Sequence, residues 1–150
     1  MRAVLTRVNS ASVKRTGSGE LLGGIGKGFL VLLGFHVDDT EREADKIADK
    51  ICGLRIFEDA NGKMNINPAD AGAQLLIVSQ FTLWADCRSR RPGFTAAARP
   101  ETAIPLYERV VAACRARGFH VETGEFGAEM QVASVNDGPV TILLETEAKG

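Results

Sequence analysis

The sequence has few cysteines, few histidines and almost no net charge, and each shortage disfavours a class of protein. Its 150 residues include three widely spaced cysteines, two histidines and a formal net charge of −1. Three cysteines without a CxxC pair argue against a disulfide framework or a zinc site and favour reduced thiols in a cytoplasmic protein. Because the chain lacks a basic excess, any contact with RNA has to come from a local patch.

Long apolar runs are also missing. No run approaches the roughly 20 apolar residues that a membrane-spanning helix needs, and the opening MRAVLTRV is charged and alternating, unlike a secretory signal. A chain of this length fits one domain, which we expect to cover residues 1–150. Such a domain buries about 68–70% of its unfolded surface, so it needs no metal or disulfide for stability. We expect no cofactor and no membrane partner.

Hydrophobic periodicity predicts several strands and two amphipathic helices. Alternation predicts a strand over 2–13, and the apolar run over 29–37 predicts a buried strand. Thr40 and Glu43 form a capping-box pattern at the start of the first helix, and Glu101–Arg117 has the spacing of the second. Further strands are predicted at 74–84, 119–122, 129–135 and 140–146. Because strands and helices do not alternate regularly, the pattern favours an α+β domain with a mostly antiparallel sheet.

A glycine-rich stretch, GGIGKG at 23–28, invites a phosphate-loop interpretation that its spacing does not support. It does not match GxxxxGK[ST], and it precedes a predicted strand rather than a helix. We therefore favour a twisted hairpin or a β-bulge. His36 and His120 also lack any ligand spacing, which disfavours a metal site.

Polar residues interrupt the predicted strand over 74–84. Ser79, Gln80 and Thr82 stand among apolar neighbours in the segment SQFTL. Since a buried polar group without a partner costs about 1–3 kcal/mol, these side chains either face solvent at a sheet edge or line a polar pocket. Ser79 and Thr82 are candidate nucleophiles, but the pattern identifies no base for either hydroxyl.

A turn signal near the end of the sequence is followed by an unusual proline. Asp137-Gly138 predicts a tight turn between two apolar runs, and Pro139 stands where the second run begins as a strand. Proline has no N–H for a ladder bond and is confined to edges, first positions and turns. The segment is either a rigid turn at a sheet edge or a functional element.

Basic residues cluster in RSRRPGF at 88–94. Arg88, Arg90 and Arg91 fall within four residues, and Phe94 follows closely. Such a loop is either a solvated charged surface or a contact for one or two phosphates. Phe94 either stacks on a base or anchors the loop.

Together, these stretches resemble the D-aminoacyl-tRNA deacylase family. The resemblance is carried by MRAVLTRV at 1–8, SQFTLWAD at 79–86 with RRPGF after it, and NDGPVTI at 136–142, and it spans essentially the whole chain. It implies a barrel-like homodimer that hydrolyses the ester between a D-amino acid and tRNA, or between glycine and tRNA-Ala. The expected partner is therefore the 3′ end of aminoacyl-tRNA, with the basic loop facing the tRNA.

The resemblance also implies roles for individual residues. The expected pocket residues are Ser79, Gln80, Phe81 and Thr82. A cis Gly138–Pro139 peptide is expected to enter the partner subunit's pocket, hold the α-ammonium group of the substrate through its carbonyls, and exclude L side chains. Arg7 is expected to orient this element, and Met130 to pack near it.

The expected mechanism leaves the nucleophile open. We favour water, assisted by the 2′-hydroxyl of the terminal adenosine, with backbone N–H groups near Phe81 and Thr82 holding the oxyanion. Covalent attack by Thr82 is the alternative. Two other functions also fit the composition: a nucleic-acid-binding module without catalysis, and a hydrolase of free D-amino-acid esters.

Overall fold

The computed structural model describes residues 1–146, which form two helices and a mixed sheet; residues 147–150 of the predicted domain lie outside the described part. The strands are β1 (Arg2–Arg15), β2 (Leu21–Ile25), β3 (Gly28–Gly34), β4 (Phe57–Glu58), β5 (Met64–Ile66), β6 (Gln74–Ser79), β7 (Val121–Thr123) and β8 (Met130–Glu145). The helices are α1 (Glu41–Gly53) and α2 (Pro100–Ala116), and a short 3₁₀ helix covers Phe81–Trp84. Both predicted α-helices are confirmed to within about a residue of their predicted starts.

The main sheet is mixed rather than mostly antiparallel, so that prediction is partly wrong. Its strand order is β2-β1-β3-β6-β7, and β8 pairs along the other edge of β1. β1 is antiparallel to all three of its neighbours, whereas β3 and β6, and β6 and β7, are parallel. Parallel neighbours need a crossover connection, and here α1 lies within the β3–β6 connection and α2 within the β6–β7 connection.

The glycine-rich stretch shapes one edge of this sheet. β2 and β3 follow each other along β1 and are separated only by a bend at Gly26–Lys27, so the stretch is not a hairpin turn. The pairing of β1 with β2 shifts register between Val13 and Lys14 and leaves Leu22 unpaired, so the irregularity lies immediately before the stretch at 23–28 and not within it. A Cβ built on Gly23 would lie 2.7 Å from the carbonyl oxygen of Thr123 on β7. The two ends of the sheet therefore meet closely, and the sheet is nearly closed like a barrel.

Both helices pack on one face of the sheet and form the larger hydrophobic core. The capping box of α1 is present as predicted, because the Glu43 carboxylate accepts the Thr40 backbone N–H at 2.7 Å. On α2, the Tyr107 hydroxyl donates to the Ile77 carbonyl at 2.5 Å, and burial raises the pKa of Tyr107 to about 12. This neutral phenol fixes α2 against β6. Within residues 1–146, no helix has both the length and the apolar character that a bilayer crossing requires.

Candidate functional site

The segment SQFTLW leaves the sheet at the end of β6. β6 ends at Ser79 and the 3₁₀ helix begins at Phe81, so the prediction of a strand as far as Trp84 is wrong beyond Ser79. The neighbouring strand β3, with which β6 pairs, ends at Gly34, and Ser79 is already paired with Leu33. With no neighbouring strand to follow, the chain turns back on itself, and the Leu83 N–H donates to the Gln80 carbonyl at 3.3 Å. The polar side chains therefore lie at a strand end.

A cavity of about 350 Å³ opens at this end of the sheet. Its walls come from the ends of β3 and β6, from the start of α2 and the loop before it, and from the loop that leads into β8. Three of the expected pocket residues, Ser79, Gln80 and Phe81, line it, and so does Met130, which was expected to pack near the Gly138–Pro139 element. Small-molecule pockets span about 300–1,000 Å³, so this cavity suits a small group rather than a large ligand.

The predicted pocket residues differ in exposure. Ser79 and Gln80 are half-buried, whereas Phe81 is 56% exposed and forms the mouth of the cavity. Phe81 meets Phe94 edge to face, with ring centroids 5.2 Å apart. Thr82 does not line the cavity; its hydroxyl accepts a hydrogen bond from the Gln80 side-chain amide at 2.5 Å.

Several cavity residues were not predicted from sequence. They are Leu33, Phe35, Val78, Ala98, Ala103, Phe126, Gly127, Ala128, Glu129 and Val132. Most are small or apolar and carry no chemical signal of their own. The stretch TGEFGAEM at 123–130, which also resembles the D-aminoacyl-tRNA deacylase family, is the one signal that could have found residues 126–129. Glu129 is the only ionisable residue of the cavity lining within residues 1–146.

Met130 begins β8 and closes one side of the cavity. Its sulfur accepts the Glu125 backbone N–H at 3.4 Å, and a Cβ built on Gly124 would lie 2.7 Å from that sulfur. Glycine at 124 therefore allows the thioether to lie against the main chain. Within the same chain, Met130 pairs with Arg15 and is far along β8 from Gly138.

The Gly138–Pro139 segment is an outward bulge and not a hairpin turn, so the predicted tight turn between two strands is wrong. Asn136 pairs with Val8 and Thr141 pairs with Thr6, both in the same antiparallel ladder. The four residues between them therefore lie opposite Arg7 alone, which is a large bulge in one continuous strand. The Gly138–Pro139 peptide bond is cis, and both residues are exposed.

Arg7 lies directly beneath this bulge and is only 4% exposed. Its Nε donates to the Asp137 carbonyl at 3.0 Å, and its Nη1 donates to the Ile56 carbonyl at 2.7 Å. Nη2 lies 3.9 Å from the Glu58 carboxylate and 3.2 Å from a Cβ built on Gly138. A planar guanidinium with several donors suits this bridge between two carbonyls.

Within one chain, the bulge and the cavity are separate. Arg7 pairs with Phe29, and the neighbour of Phe29 on β6 is Leu75, four residues before Ser79. At about 3.3 Å per residue this is roughly 13 Å along the strands, in addition to the strands between them. Neither Gly138 nor Pro139 lines the cavity.

The basic loop is closed by an antiparallel bridge between Asp86 and Gly93. Asp86 holds Arg88 through both carboxylate oxygens, at 2.6 to 3.0 Å, and this guanidinium keeps the pKa of Asp86 below its usual value. Arg90 and Arg91 are exposed and make no salt bridge with residues 1–146. The loop therefore presents two available cations beside Phe94 at the cavity mouth.

Metal ligands do not cluster in the described part of the chain. Within residues 1–146, no group of three or more His, Cys, Asp and Glu residues is arranged to hold a metal ion. Cys52, Cys87 and Cys114 are free thiols.

Comparisons with known proteins concern the chain as a whole. A family model described as D-Tyr-tRNA(Tyr) deacylase matches residues 4–145. The curated D-aminoacyl-tRNA deacylase of Desulfitobacterium hafniense (strain DSM 10664 / DCB-2) is 55% identical over 148 residues, 98% of each chain. That of Thermus aquaticus is 54% identical over 150 residues, covering 99% of this chain and 97% of the relative.

Two solved structures have the same fold. One is described as "c-Myc DNA Unwinding Element Binding Protein"; its TM-score is 0.91 at 40% identity, covering 99% of this chain and 100% of the other. The second is described as "Structural Analysis of a probable eukaryotic D-amino acid tRNA deacylase", with a TM-score of 0.83 at 18% identity, covering 95% and 97%. The second likeness bears on the fold alone.

Proposed function

The chain belongs to the D-Tyr-tRNA(Tyr) deacylase family, and from this premise we propose that it hydrolyses the ester bond of D-aminoacyl-tRNA inside the cavity at the end of β6. The products are a free D-amino acid and tRNA. The observation that carries the proposal is the position of the family-like segment SQFT, three of whose residues line a cavity of about 350 Å³. A cavity of this size accepts an aminoacyl group and leaves the tRNA outside.

The charge of the cavity suits the substrate. An aminoacyl ester carries an α-ammonium group, and Glu129 is the only ionisable residue lining the cavity among residues 1–146. Glu129 is exposed, so its carboxylate attracts a cation to the otherwise largely apolar wall as a solvent-screened surface charge. Most of the wall offers no specific contact for the side chain of the substrate, which fits hydrolysis of several different D-aminoacyl groups.

Water is the proposed nucleophile, assisted by the 2′-hydroxyl of the terminal adenosine. The substrate is an activated ester, so positioning supplies much of the effect. The Phe81 and Thr82 N–H groups donate to no oxygen of residues 1–146. As the first donors of the 3₁₀ helix they are available to hold the developing oxyanion.

Covalent attack by Thr82 is disfavoured by its hydrogen bond. The Thr82 hydroxyl accepts from the Gln80 amide at 2.5 Å. A side-chain amide N–H is a donor and cannot take the proton that a nucleophilic hydroxyl has to lose. We therefore assign Thr82 a structural role that fixes the Gln80 side chain.

We further propose that the protein is a homodimer in which each subunit's Gly138–Pro139 bulge enters the cavity of the partner. The bulge is exposed, is held rigidly by Arg7, and lies away from its own cavity. Closed homodimers exchange such elements reciprocally across a twofold axis. Met130 would then pack near the partner's bulge, although it is distant from its own.

The bulge is proposed to select chirality by steric exclusion. If the carbonyls of the bulge hold the α-ammonium group of the substrate, the main chain of the bulge lies beside the substrate α-carbon. The substrate side chain then has room in one direction only. An L-residue would direct its Cβ into that wall, whereas a D-residue directs it into the cavity. Glycine has no side chain to reject, so we expect glycyl-tRNA, including glycine mischarged on tRNA-Ala, to be hydrolysed as well.

The tRNA is proposed to approach over the basic loop. Arg90 and Arg91 are available for phosphates, and Phe94 lies against Phe81 at the mouth. Arg88 contributes less, because Asp86 already neutralises it. Such contacts orient a nucleic acid without reading its sequence. The proposed substrate implies a cytoplasmic location.

A second function, nucleic-acid binding without hydrolysis, is favoured by one comparison. A protein described as a c-Myc DNA unwinding element binding protein is 40% identical to this chain over nearly its whole length. The net charge of −1 gives no broad basic surface for a duplex, and the cavity suits a small group. Hydrolysis is therefore the better-supported function.

One assay separates these functions. The purified protein is incubated with D-tyrosyl-tRNA, L-tyrosyl-tRNA and glycyl-tRNA, and the remaining ester is measured over time. We expect loss of the D-tyrosyl and glycyl esters and persistence of the L-tyrosyl ester. Binding of all three without turnover would instead support the nucleic-acid-binding function, and equal cleavage of free D-tyrosine ethyl ester would indicate a small-molecule esterase.

A further inference from the structure

The underside of the SQFTLW segment rests directly on the end of β3. Gln80 donates its backbone N–H to the Leu33 carbonyl at 2.8 Å. A Cβ built on Gly34 would lie 2.7 Å from the Gln80 carbonyl oxygen and 3.0 Å from the Leu83 Cβ. Any side chain at position 34 would therefore displace the segment.

Trp84 secures the other end of the same segment. It is buried, at 8% exposure, and its indole N–H donates to the Gly34 carbonyl at 3.1 Å. Gly34 thus meets Gln80 on the side where other residues have a Cβ, and it meets Trp84 through its carbonyl oxygen. The edge of the His36 ring meets the indole with centroids 4.6 Å apart, which fixes the plane of the ring.

Arg2 covers the outer face of Trp84. Its guanidinium carbon lies 3.9 Å from the ring centroid, and its Nη1 donates to the Leu83 carbonyl at 2.9 Å. Its Nε lies 3.2 Å from the Glu145 carboxylate on β8. A guanidinium can stack and donate at the same time, which an ammonium group cannot do in this geometry.

We propose that Trp84 is a positioning residue for the hydrolysis, and that Gly34 and Arg2 act through it. The inference rests on the proposed function, since it concerns the direction of the Phe81 and Thr82 main chain. A four-residue 3₁₀ helix has strained hydrogen-bond geometry and is easily displaced. The indole, held between Gly34 and Arg2, fixes the end of the helix and does not itself line the cavity. Displacements of about 1 Å at reacting groups cost about 100-fold in rate.

Trp84→Leu removes both the ring and the donor, and Trp84→Phe removes only the donor. We expect kcat on D-tyrosyl-tRNA to fall about 30-fold or more in Trp84→Leu, with KM within about threefold, because transition-state contacts are lost while substrate binding persists. Trp84→Phe should lie between Trp84→Leu and the wild type. Arg2→Lys, which keeps the charge opposite Glu145, should lower kcat about threefold to tenfold.

Ile47→Ala on α1 is the matched control. Ile47 is buried and does not line the cavity, so its truncation lowers Tm as a core change should. All rates are measured well below every Tm. If kcat falls no further in Trp84→Leu than in Ile47→Ala, then Trp84 serves stability alone and the inference is wrong.

A second readout does not depend on activity. Amide hydrogen exchange of a peptide covering 79–85 should be about tenfold faster in Trp84→Phe than in the wild type and unchanged in Ile47→Ala. Trp84 is the only tryptophan of the chain, so its fluorescence should also change in Arg2→Lys. A wild-type protein inactive on D-tyrosyl-tRNA would refute the proposed function, whereas unchanged exchange in Trp84→Phe would refute the positioning role separately.

Discussion

The cavity and the Gly138–Pro139 bulge differ in how completely one chain builds them. The cavity is walled on several sides by β3, β6, α2 and the loop before β8. The bulge is exposed on β8, and among residues 1–146 this strand pairs with β1 alone. This difference is the basis of the proposal that the bulge acts on the cavity of a partner subunit.

The two regions are also stabilised differently. The cavity segment lies against main chain, as Gly34 and Gln80 show. The bulge is held by side chains: Arg7 binds the Asp137 carbonyl, and the Asn136 side chain accepts the Val140 N–H at 2.9 Å. Substitutions in the cavity segment should therefore affect the rate of hydrolysis, and substitutions around the bulge should affect the discrimination between D- and L-esters.

Filling the cavity should have the largest effect. Ala98 lines it and is fixed by a 2.9 Å hydrogen bond from its N–H to the Phe35 carbonyl. In Ala98→Phe we expect hydrolysis of D-tyrosyl-tRNA to fall about 100-fold or more, with a smaller loss for glycyl-tRNA, because the ring occupies the side-chain space. Rates on both substrates measure this. Ala112→Phe, at an exposed site of α2, is the control; an equal loss there would show that the cavity is not the site.

Loosening the bulge should weaken the discrimination between D- and L-aminoacyl esters before it lowers the rate of D-ester hydrolysis. Arg7→Lys keeps a positive charge but cannot bridge the Asp137 and Ile56 carbonyls. We expect hydrolysis of L-tyrosyl-tRNA to rise about tenfold while that of D-tyrosyl-tRNA stays within about threefold. The ratio of the two rates is the measurement. An L-ester that remains fully resistant would locate the chirality gate elsewhere.

Mixed dimers sharpen this result. A dimer of one Ala98→Phe subunit and one Arg7→Lys subunit, isolated by two affinity tags, has one open cavity. If the bulge acts across the dimer, that cavity faces an intact bulge, and L-tyrosyl-tRNA should again resist hydrolysis. If the bulge acts within its own chain, the mixed dimer should hydrolyse the L-ester.

Local signals predicted the helices well and the strand ends poorly. The capping box at Thr40 and Glu43 depends on residues within one turn, so the start of α1 was predictable. The end of β6 depends on where β3 ends, which is not encoded near Ser79. Asp137-Gly138 has the composition of a hairpin turn, but both flanking segments pair with the 14-residue β1, so the turn became a bulge.

Residue chemistry alone predicted the candidate site only where its residues are distinctive, whereas Phe81 and Met130 were expected only through the family resemblance. Ser79 and Gln80 stand out as polar residues in an apolar run, and both line the cavity. Ala98, Ala103 and Phe126 line it equally, yet small and apolar residues have the same appearance in any core. Ala98 and Ala103 reach the cavity through the crossover between β6 and β7, and Phe126 through the loop between β7 and β8, so their position depends on the strand order and not on any single segment.

Removing the available cations should have a moderate effect on binding. In the Arg90→Gln, Arg91→Gln double variant we expect KM for D-aminoacyl-tRNA to rise about threefold to tenfold and its salt dependence to weaken, with a slope smaller by about 0.7–0.9 per lost phosphate contact. Titration across salt concentrations measures both. Arg88→Gln is the matched control, because Asp86 already binds Arg88; an equal effect there would mean that the loop acts only through its net charge.

Removing the Thr82 hydroxyl should have the smallest effect. The hydroxyl accepts from the Gln80 amide and does not line the cavity, so Thr82→Ala should lower kcat by no more than about threefold, the loss coming from a freer Gln80 side chain. Thr82→Ser keeps the hydroxyl and should match the wild type. Rapid quenching followed by mass measurement of the wild-type protein tests the chemistry directly. Near-total inactivity of Thr82→Ala, together with a trapped acyl group on wild-type Thr82, would show that the Thr82 hydroxyl is the nucleophile. Water would then act only in the second step, the hydrolysis of the acyl-enzyme.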